Sequence, residues 1–229
     1  MTADVWFMDL TTTSKENLPG KLSRLVREAG LFNCIGKKEI TAVKIHFGEQ
    51  GNTAFIRPVF VRQVIKDIKA AGARPFLTDA NTLYAGTRAD AVSHIHTAIE
   101  NGFSYSSMDA TPIVIADGIR GKNQTLVPVN AKQCENVYIG SEVIDADAFV
   151  SIAHFKGHEL SGFGGTLKNV GMGCASRQGK LDQHSTVSPK IKRKTCIGCR
   201  ECATHCPGEA IEIKEKKAYL EKEKCIGCA

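Results

Sequence analysis

Thr41-Ala-Val-Lys-Ile-His-Phe47 is the stretch on which the fold turns. It is strand-like and largely apolar, as expected of a strand covered on both faces, and such strands belong to parallel sheets wrapped by helices. It runs into His46-Phe-Gly-Glu-Gln-Gly-Asn52. A glycine-rich loop after a strand can approach a phosphate closely. This one matches neither the P-loop nor the dinucleotide fingerprint, so a plain turn is the better reading.

Outward from that strand, helix and strand signals alternate. Pro58 opens a helix near its first position, with Val61, Val64, Ile65 and Ile68 as its apolar stripe and Ala-Ala-Gly72 as its end. Pro75–Thr78 reads as a strand, and Ala89–Glu100 as a helix stopped by Asn101-Gly102. His94 and His96, two apart on that helix, face different sides and are read as packing or surface residues. Thr111–Ala116, Leu126–Val129, Val137–Ile139 and Ala148–His154 are further strands, and Ser141 caps a short helix through Asp145. Towards the N-terminus, Lys21–Ala29 has helical spacing and Val5–Leu10 looks like a first strand. The alternation predicts an α/β fold, a mostly parallel sheet with helices on both faces, over residues 1–188. Residues 189–229, where the cysteines discussed below cluster, are expected to form a small ferredoxin-like module, incomplete at its C-terminus.

The chain has 229 residues, 42% of them apolar, enough for one α/β domain and a small module. No apolar run approaches the roughly 20 residues of a membrane helix, and Met-Thr-Ala-Asp-Val-Trp lacks the order of a signal peptide. A reducing cytoplasm is the expected compartment for its nine cysteines. The net charge of +6 and 7% aromatic content do not suggest a nucleic-acid partner. Lys190, Lys192, Arg193 and Lys194 are read either as a solvated linker or as a docking point for an acidic partner.

Ligands of open α/β sheets bind beyond the carboxyl ends of the strands. Two segments fall there. Asp79-Ala-Asn81-Thr-Leu-Tyr84-Ala-Gly86-Thr-Arg88 gathers Asp, Asn, Tyr and Arg in one loop. The segment from His154 through Lys156, His158, Glu159, Ser161, Gly164, Gly165, Lys168 and Asn169 to Cys174 is denser still and reads as running into a helix start. Close packing by glycine is the plain alternative. The coincidence of strand end, imidazoles, lysines and glycines favours a site. His158, Lys168 and His154 are the candidate catalytic residues, and Lys156, Gly164, Gly165, Asp79 and Asn81 the candidate cofactor-binding ones.

Near the C-terminus stands Cys196-Ile-Gly-Cys199-Arg-Glu-Cys202-Ala-Thr-His-Cys206-Pro207. This is the Cys-x2-Cys-x2-Cys-x3-Cys-Pro run that holds 4Fe–4S clusters. A zinc ribbon would leave Cys202 and Cys206-Pro207 surplus. A second run starts at Cys225-Ile-Gly-Cys228. The two-cluster pattern assigns Cys196, Cys199 and Cys202 to one cluster and Cys206, Cys225 and Cys228 to the other. Each then lacks one thiolate, and the chain is expected to be a fragment continuing beyond Ala229.

With these residues in hand, His154-x-Lys-x-His158, Ser161-Gly-Phe-Gly-Gly-Thr-Leu-Lys-Asn169, Val43-Lys-Ile-His-Phe-Gly48 and the terminal cysteine run together resemble the domain of unknown function 362 family, over nearly the whole chain. The resemblance implies iron–sulfur clusters and this architecture, but no substrate. A more distant likeness is to the lactate-racemase superfamily. There a His is followed ten residues on by a Lys that anchors a nickel-bearing nucleotide cofactor. His158 and Lys168 have that separation, although Gly164 replaces the family's Ser and Thr-Leu precedes the Lys. Three readings follow. One is an electron-transfer enzyme acting on a small-molecule substrate or with a redox partner protein. The second is a non-catalytic electron carrier or binding protein. The third is a racemase-like enzyme with a cofactor on Lys168.

Overall fold

The computed structural model describes residues 4–84, 86–132, 134–158, 161–184, 189–206, 209–222 and 224–225. The chain passes through α1 (Leu18–Glu28), β1 (Ile40–Ile45), α2 (Pro58–Ala70), β2 (Arg74–Asp79), α3 (Ala91–Glu100) and β3 (Ile113–Ile115). A hairpin of β4 (Gln124–Ala131) and β5 (Cys134–Gly140) leads through α4 (Ser141–Ile144) to β6 (Ala148–Ile152). A second hairpin, β7 (Lys156–His158) and β8 (Gly162–Gly164), precedes α5 (Thr166–Gly171) and α6 (Arg177–His184). Last come α7 (Glu201–Thr204), β9 (Ile211–Lys214) and β10 (Lys217–Leu220). Among the described residues no helix is long and apolar enough to cross a membrane.

β1, β2, β3 and β6 form one parallel sheet in the order β3-β2-β1-β6. One face of it carries Val43, Ile45, Leu77, Ile115 and Val150. These pack with Val61, Val64, Ile65 and Ile68 of α2 and with Ala91 and Ala98 of α3. Removing each of the larger side chains from water is worth about 1.5–3 kcal/mol, so the stripe on α2 seats that helix. Pro58 starts α2 as expected. α3 starts at a cap the sequence reading missed: the Asp90 carboxylate accepts from the backbone N–H of Val92 and Ser93 at 3.0 and 3.1 Å. The other face carries Lys44 and Ser151, both reached by Asn169 of α5. Helices thus cover both faces of the sheet.

Four expectations are corrected. Val5–Leu10 is not a strand. Val5, Phe7 and Leu10 are exposed, and an unpaired run has no ladder to join. β4 and β5 pair antiparallel outside the main sheet. The glycine-rich segment after His158 is the β7–β8 hairpin, with the helix starting only at Thr166. Ser141 is the first residue of α4 rather than its cap.

The two faces are joined at their carboxyl ends by one buried ammonium. Lys44 is 1% exposed. Its Nζ lies 2.9 Å from Asp79 Oδ1 and donates to Asn169 Oδ1 at 2.8 Å. Asn169 returns its amide to Ser151 Oγ at 2.9 Å. Gly173 makes room for the lysine: a Cβ there would lie 2.7 Å from Lys44 Nζ and 2.2 Å from Asn169 O. Asp79 also meets Arg88 Nη1 at 3.2 Å and His94 Nε2 at 3.5 Å. Burial alone would raise its pKa. Lys44, His94 and Arg88 override that and hold it well below the usual carboxylate range.

Breaking a buried pair by deleting one partner costs about 3–5 kcal/mol. Lys44→Met should therefore lower the denaturation free energy by roughly that amount, measured by urea titration. A depressed carboxylate contributes stability above its unfolded pKa and loses it as pH falls towards the folded one. The wild type should accordingly weaken steeply below about pH 4. K44M should show a shallower acid limb, since less depression remains to be lost.

Candidate functional site

The strand order places a reversal at β1. The chain steps outward from β1 to β2 to β3, then returns to the opposite side of β1 as β6. Connections leaving β1 and β6 therefore diverge, and the carboxyl ends beside such a reversal are where open α/β sheets form their ligand crevice.

The loop after β1 supplies one wall. Glu49 accepts from Arg88 Nε at 3.0 Å and from Tyr84 OH at 3.0 Å, and also contacts Arg88 Nη2. Arg88 is thus clamped between Asp79 and Glu49, and its guanidinium is consumed by structure. The two opposite charges on each side balance: Lys44 and Arg88 against Asp79 and Glu49. His46 stands beside this network, its Nε2 3.8 Å from Glu49 Oε1. Partial burial, then the nearby Arg88, push its pKa down to about 4.

The β7–β8 hairpin and α5 supply the other wall. Lys168 Nζ and His158 Nε2 are in hydrogen-bond contact. His158 Nδ1 accepts from the backbone N–H of Ser161 at 3.2 Å. Lys156 runs alongside: a Cβ on Gly164 would lie 3.7 Å from Lys156 Cγ and 3.8 Å from Lys168 Cδ, so that glycine is where both stems pass. Burial, with Lys156 second, pulls the Lys168 pKa down. Lys156 also acts electrostatically on His46, which links the two walls. Phe155 and Phe163 stack on each other at 5.6 Å on the exposed side of the hairpin. Gly165 gives way to Phe155 (a Cβ would lie 3.2 Å from its Cδ2), so its role here is packing.

His158, Lys168, Lys156 and Gly164 are therefore brought together. His154 is exposed on the link between β6 and β7. Asp79 lies beneath the crevice floor. Asn81 is fully buried, its amide N donating to Asp117 Oδ1 at 2.9 Å and to Gly118 O at 2.8 Å. Glu159 lies outside the described residues.

Below Asn81 sits a second buried polar group that the sequence reading missed. Lys180 of α6 is buried and donates to Ala175 O. Burial lowers its pKa to about 8, against the pull of Asp117 and Asp79. Asp117 is shifted up by its own burial. Cys174, at the end of the glycine-rich segment, is buried, and that burial raises its thiol pKa. Cys34 is exposed. His94 packs edge-on against Phe47 at 5.8 Å and His96 is exposed beside Glu100, so the first is a packing residue and the second a surface one.

In the C-terminal region the chain turns sharply around the cysteines. Gly198 has φ +73°, and a Cβ there would lie 2.4 Å from Lys216 O. Only glycine fits that approach of two backbones. Cys196 Sγ accepts from the backbone N–H of Ala218 at 3.3 Å, and Cys206 Sγ from that of Ala210 at 3.2 Å. The N–H groups of Ala218 and Gly198 lower the Cys196 pKa. Cys199 and Cys202 are exposed free thiols. Among the described residues no three His, Cys, Asp or Glu side chains converge as a metal-holding group. Pro207 and Cys228 lie outside those residues.

The chain is similar to three things. The domain of unknown function 362 (DUF362) matches residues 41–218. A component of the ion-translocating oxidoreductase complex of Methanosarcina acetivorans is 46% identical over 33 residues, 14% of this chain and 12% of that component. The lactate racemase apoprotein from Thermoanaerobacterium thermosaccharolyticum aligns at 18% identity with a TM-score of 0.48, covering 77% of this chain and 37% of the racemase. The chain thus spans well under two thirds of either of those proteins. Since the DUF362 match runs from Thr41 in β1 to Ala218 in β10 and takes in both walls of the crevice, the chain belongs to the domain of unknown function 362 family.

Proposed function

We propose that this is an iron–sulfur protein that moves electrons to or from a small molecule held in the carboxyl-end crevice, or a partner protein docked near the cysteines. The observation that carries the reading is the pair of backbone N–H donors aimed at Cys196 Sγ and Cys206 Sγ. Thiolates bind iron, and amide hydrogen bonds to sulfur both stabilise the thiolate and tune a cluster's potential. The Gly198 turn and the Cys-x2-Cys-x2-Cys-x3-Cys-Pro spacing fit that group equally well. Cys196, Cys199, Cys202 and Cys206, with Cys225 and Cys228, would hold 4Fe–4S clusters, which supply one-electron transfer when bound.

A second reading is favoured by one contact. His158 Nδ1 accepts from an amide, so a neutral ring keeps its proton on Nε2. That proton faces Lys168 Nζ. An ammonium offers no lone pair to accept it, whereas a free amine does, and the Lys168 pKa is shifted in that direction. A neutral amine is a nucleophile, which suits a racemase- or isomerase-like enzyme with a cofactor anchored on Lys168.

Two measurements separate these readings. Anaerobically prepared protein should contain iron and acid-labile sulfide, and Cys199→Ala should lose about four iron atoms per chain. C34A/C134A, which removes exposed thiols outside the run, should keep its iron. Unchanged iron in C199A, or zinc in place of iron, would end the first reading. For the second, peptide mass mapping of protein from its native source should find Lys168 carrying added mass. An unmodified Lys168 in active protein removes that reading.

A further inference from the structure

His46 has no role in the network described so far, and its tautomer is set by the backbone. The N–H of Gly48 donates to His46 Nδ1 at 3.0 Å. A neutral imidazole that accepts at Nδ1 carries its proton on Nε2. The turn that delivers this N–H is built for it. Gly48 has φ +90°, and a Cβ there would lie 2.7 Å from both Asn101 Nδ2 and Phe55 Cδ1. Asn101 Nδ2 in turn donates to Phe47 O at 2.9 Å, pinning the loop from the other side. The ring is therefore held in place and presents an N–H at its outer edge.

That N–H has no acceptor at hydrogen-bond distance among the described residues. Glu49 Oε1 is 3.8 Å away and already receives Arg88 and Tyr84. The His46 side chain is 39% exposed, on the crevice side of β1. Lys156, exposed on the β7–β8 hairpin, lies near enough to act on it electrostatically. Among the described residues no carboxylate lies within ion-pair reach of Lys156. The charges below it cancel, as Lys44 and Arg88 meet Asp79 and Glu49. An exposed cation and a pinned neutral donor thus stand near one another, and among the described residues neither has a carboxylate at hydrogen-bond distance.

We infer that the crevice takes a small oxyanion, a carboxylate or a phosphate, received by the Lys156 ammonium and the His46 Nε2–H. This names the class of small molecule in the proposed function and rests on that reading of the crevice. Partial burial and Arg88 keep the imidazole uncharged down to about pH 4, so it donates as a neutral group. A neutral donor of this kind can polarise a bound oxygen without itself losing a proton.

The test is calorimetric titration of the anaerobically prepared full chain with oxalate and, separately, with inorganic phosphate. One of the two anions should bind, and the tighter one identifies the class. Lys156→Met and His46→Ala should each weaken it about tenfold or more. His46→Gln, whose amide N–H sits near the Nε2 position, should stay within about threefold of wild type. Iron content should be the same in all variants. No binding of either anion overturns the inference, as does wild-type affinity in H46A and K156M. Equal loss in H46Q and H46A also overturns it, since that is loss of ring packing rather than of a donor. Iron without anion binding removes this inference and leaves the cluster reading standing; anion binding without iron does the reverse.

Discussion

An ammonium taken out of water has to be paired, and the position of Lys44 makes that requirement architectural. It points out of a central strand into the face opposite the apolar core. Its partners are Asp79, at the carboxyl end of the neighbouring strand, and Asn169, from a helix far along the chain. An isolated buried charge would cost several kcal/mol, so burying Lys44 in the closed sheet requires both partners. The same carboxylate then collects Arg88 and His94. One buried charge thus specifies the register of β1 against β2, the seating of α5, and the course of the loop from Asp79 to Arg88.

The consequence is a crevice with two electrostatic layers. Beneath, four charges cancel and are locked by hydrogen bonds, so they are rigid and chemically spent. Above, Lys156 and His158 of the hairpin, Lys168 of α5 and His46 past the end of β1 stand outside that neutralised layer. Rigid support under a small set of unspent polar groups is the arrangement that preorganises a binding site. It also explains why Arg88, the most visible cation of its loop in the sequence, is not a candidate ligand group, whereas the less conspicuous His46 is.

The fold was legible wherever a local pattern had one physical solution. The Val61, Val64, Ile65 and Ile68 stripe, the proline at the start of α2 and the run from Thr41 each admit a single reading, and the structure agrees with all three. Val5–Leu10 has the same composition as a strand, but strands exist only in pairs, and no local pattern reveals whether a partner is there. The segment from Gly162 to Gly165 is ambiguous for a related reason. Glycine permits a helix start or a tight hairpin, and the choice falls to the pairing of Lys156 with Gly164 across the turn. In the site, His158 and Lys168 were readable as members of one segment dense in imidazoles, lysines and glycines at a strand end. Asp90 as a cap, Lys180 with Asp117, and His46 were not. The roles of Lys180 and His46 come from groups far away in sequence, and nothing in their immediate surroundings marks a buried lysine or a pinned tautomer.

The two parts of the chain also differ in what could hold them folded. The α/β part has an apolar core under α2 and α3 and needs no ligand to bury it. Among the described residues, those around the cysteines form a two-stranded ladder and one short turn of helix, with Ala210 and Ala218 as buried apolar side chains. A two-stranded hairpin is marginal in water by itself, and small ligand-rich modules usually draw their folding free energy from the metal they bind. Hydrogen bonds to Cys196 and Cys206 would then act in both directions. They order the backbone around the sulfurs, and a bound cluster, by holding the sulfurs, would order the hairpin that donates them.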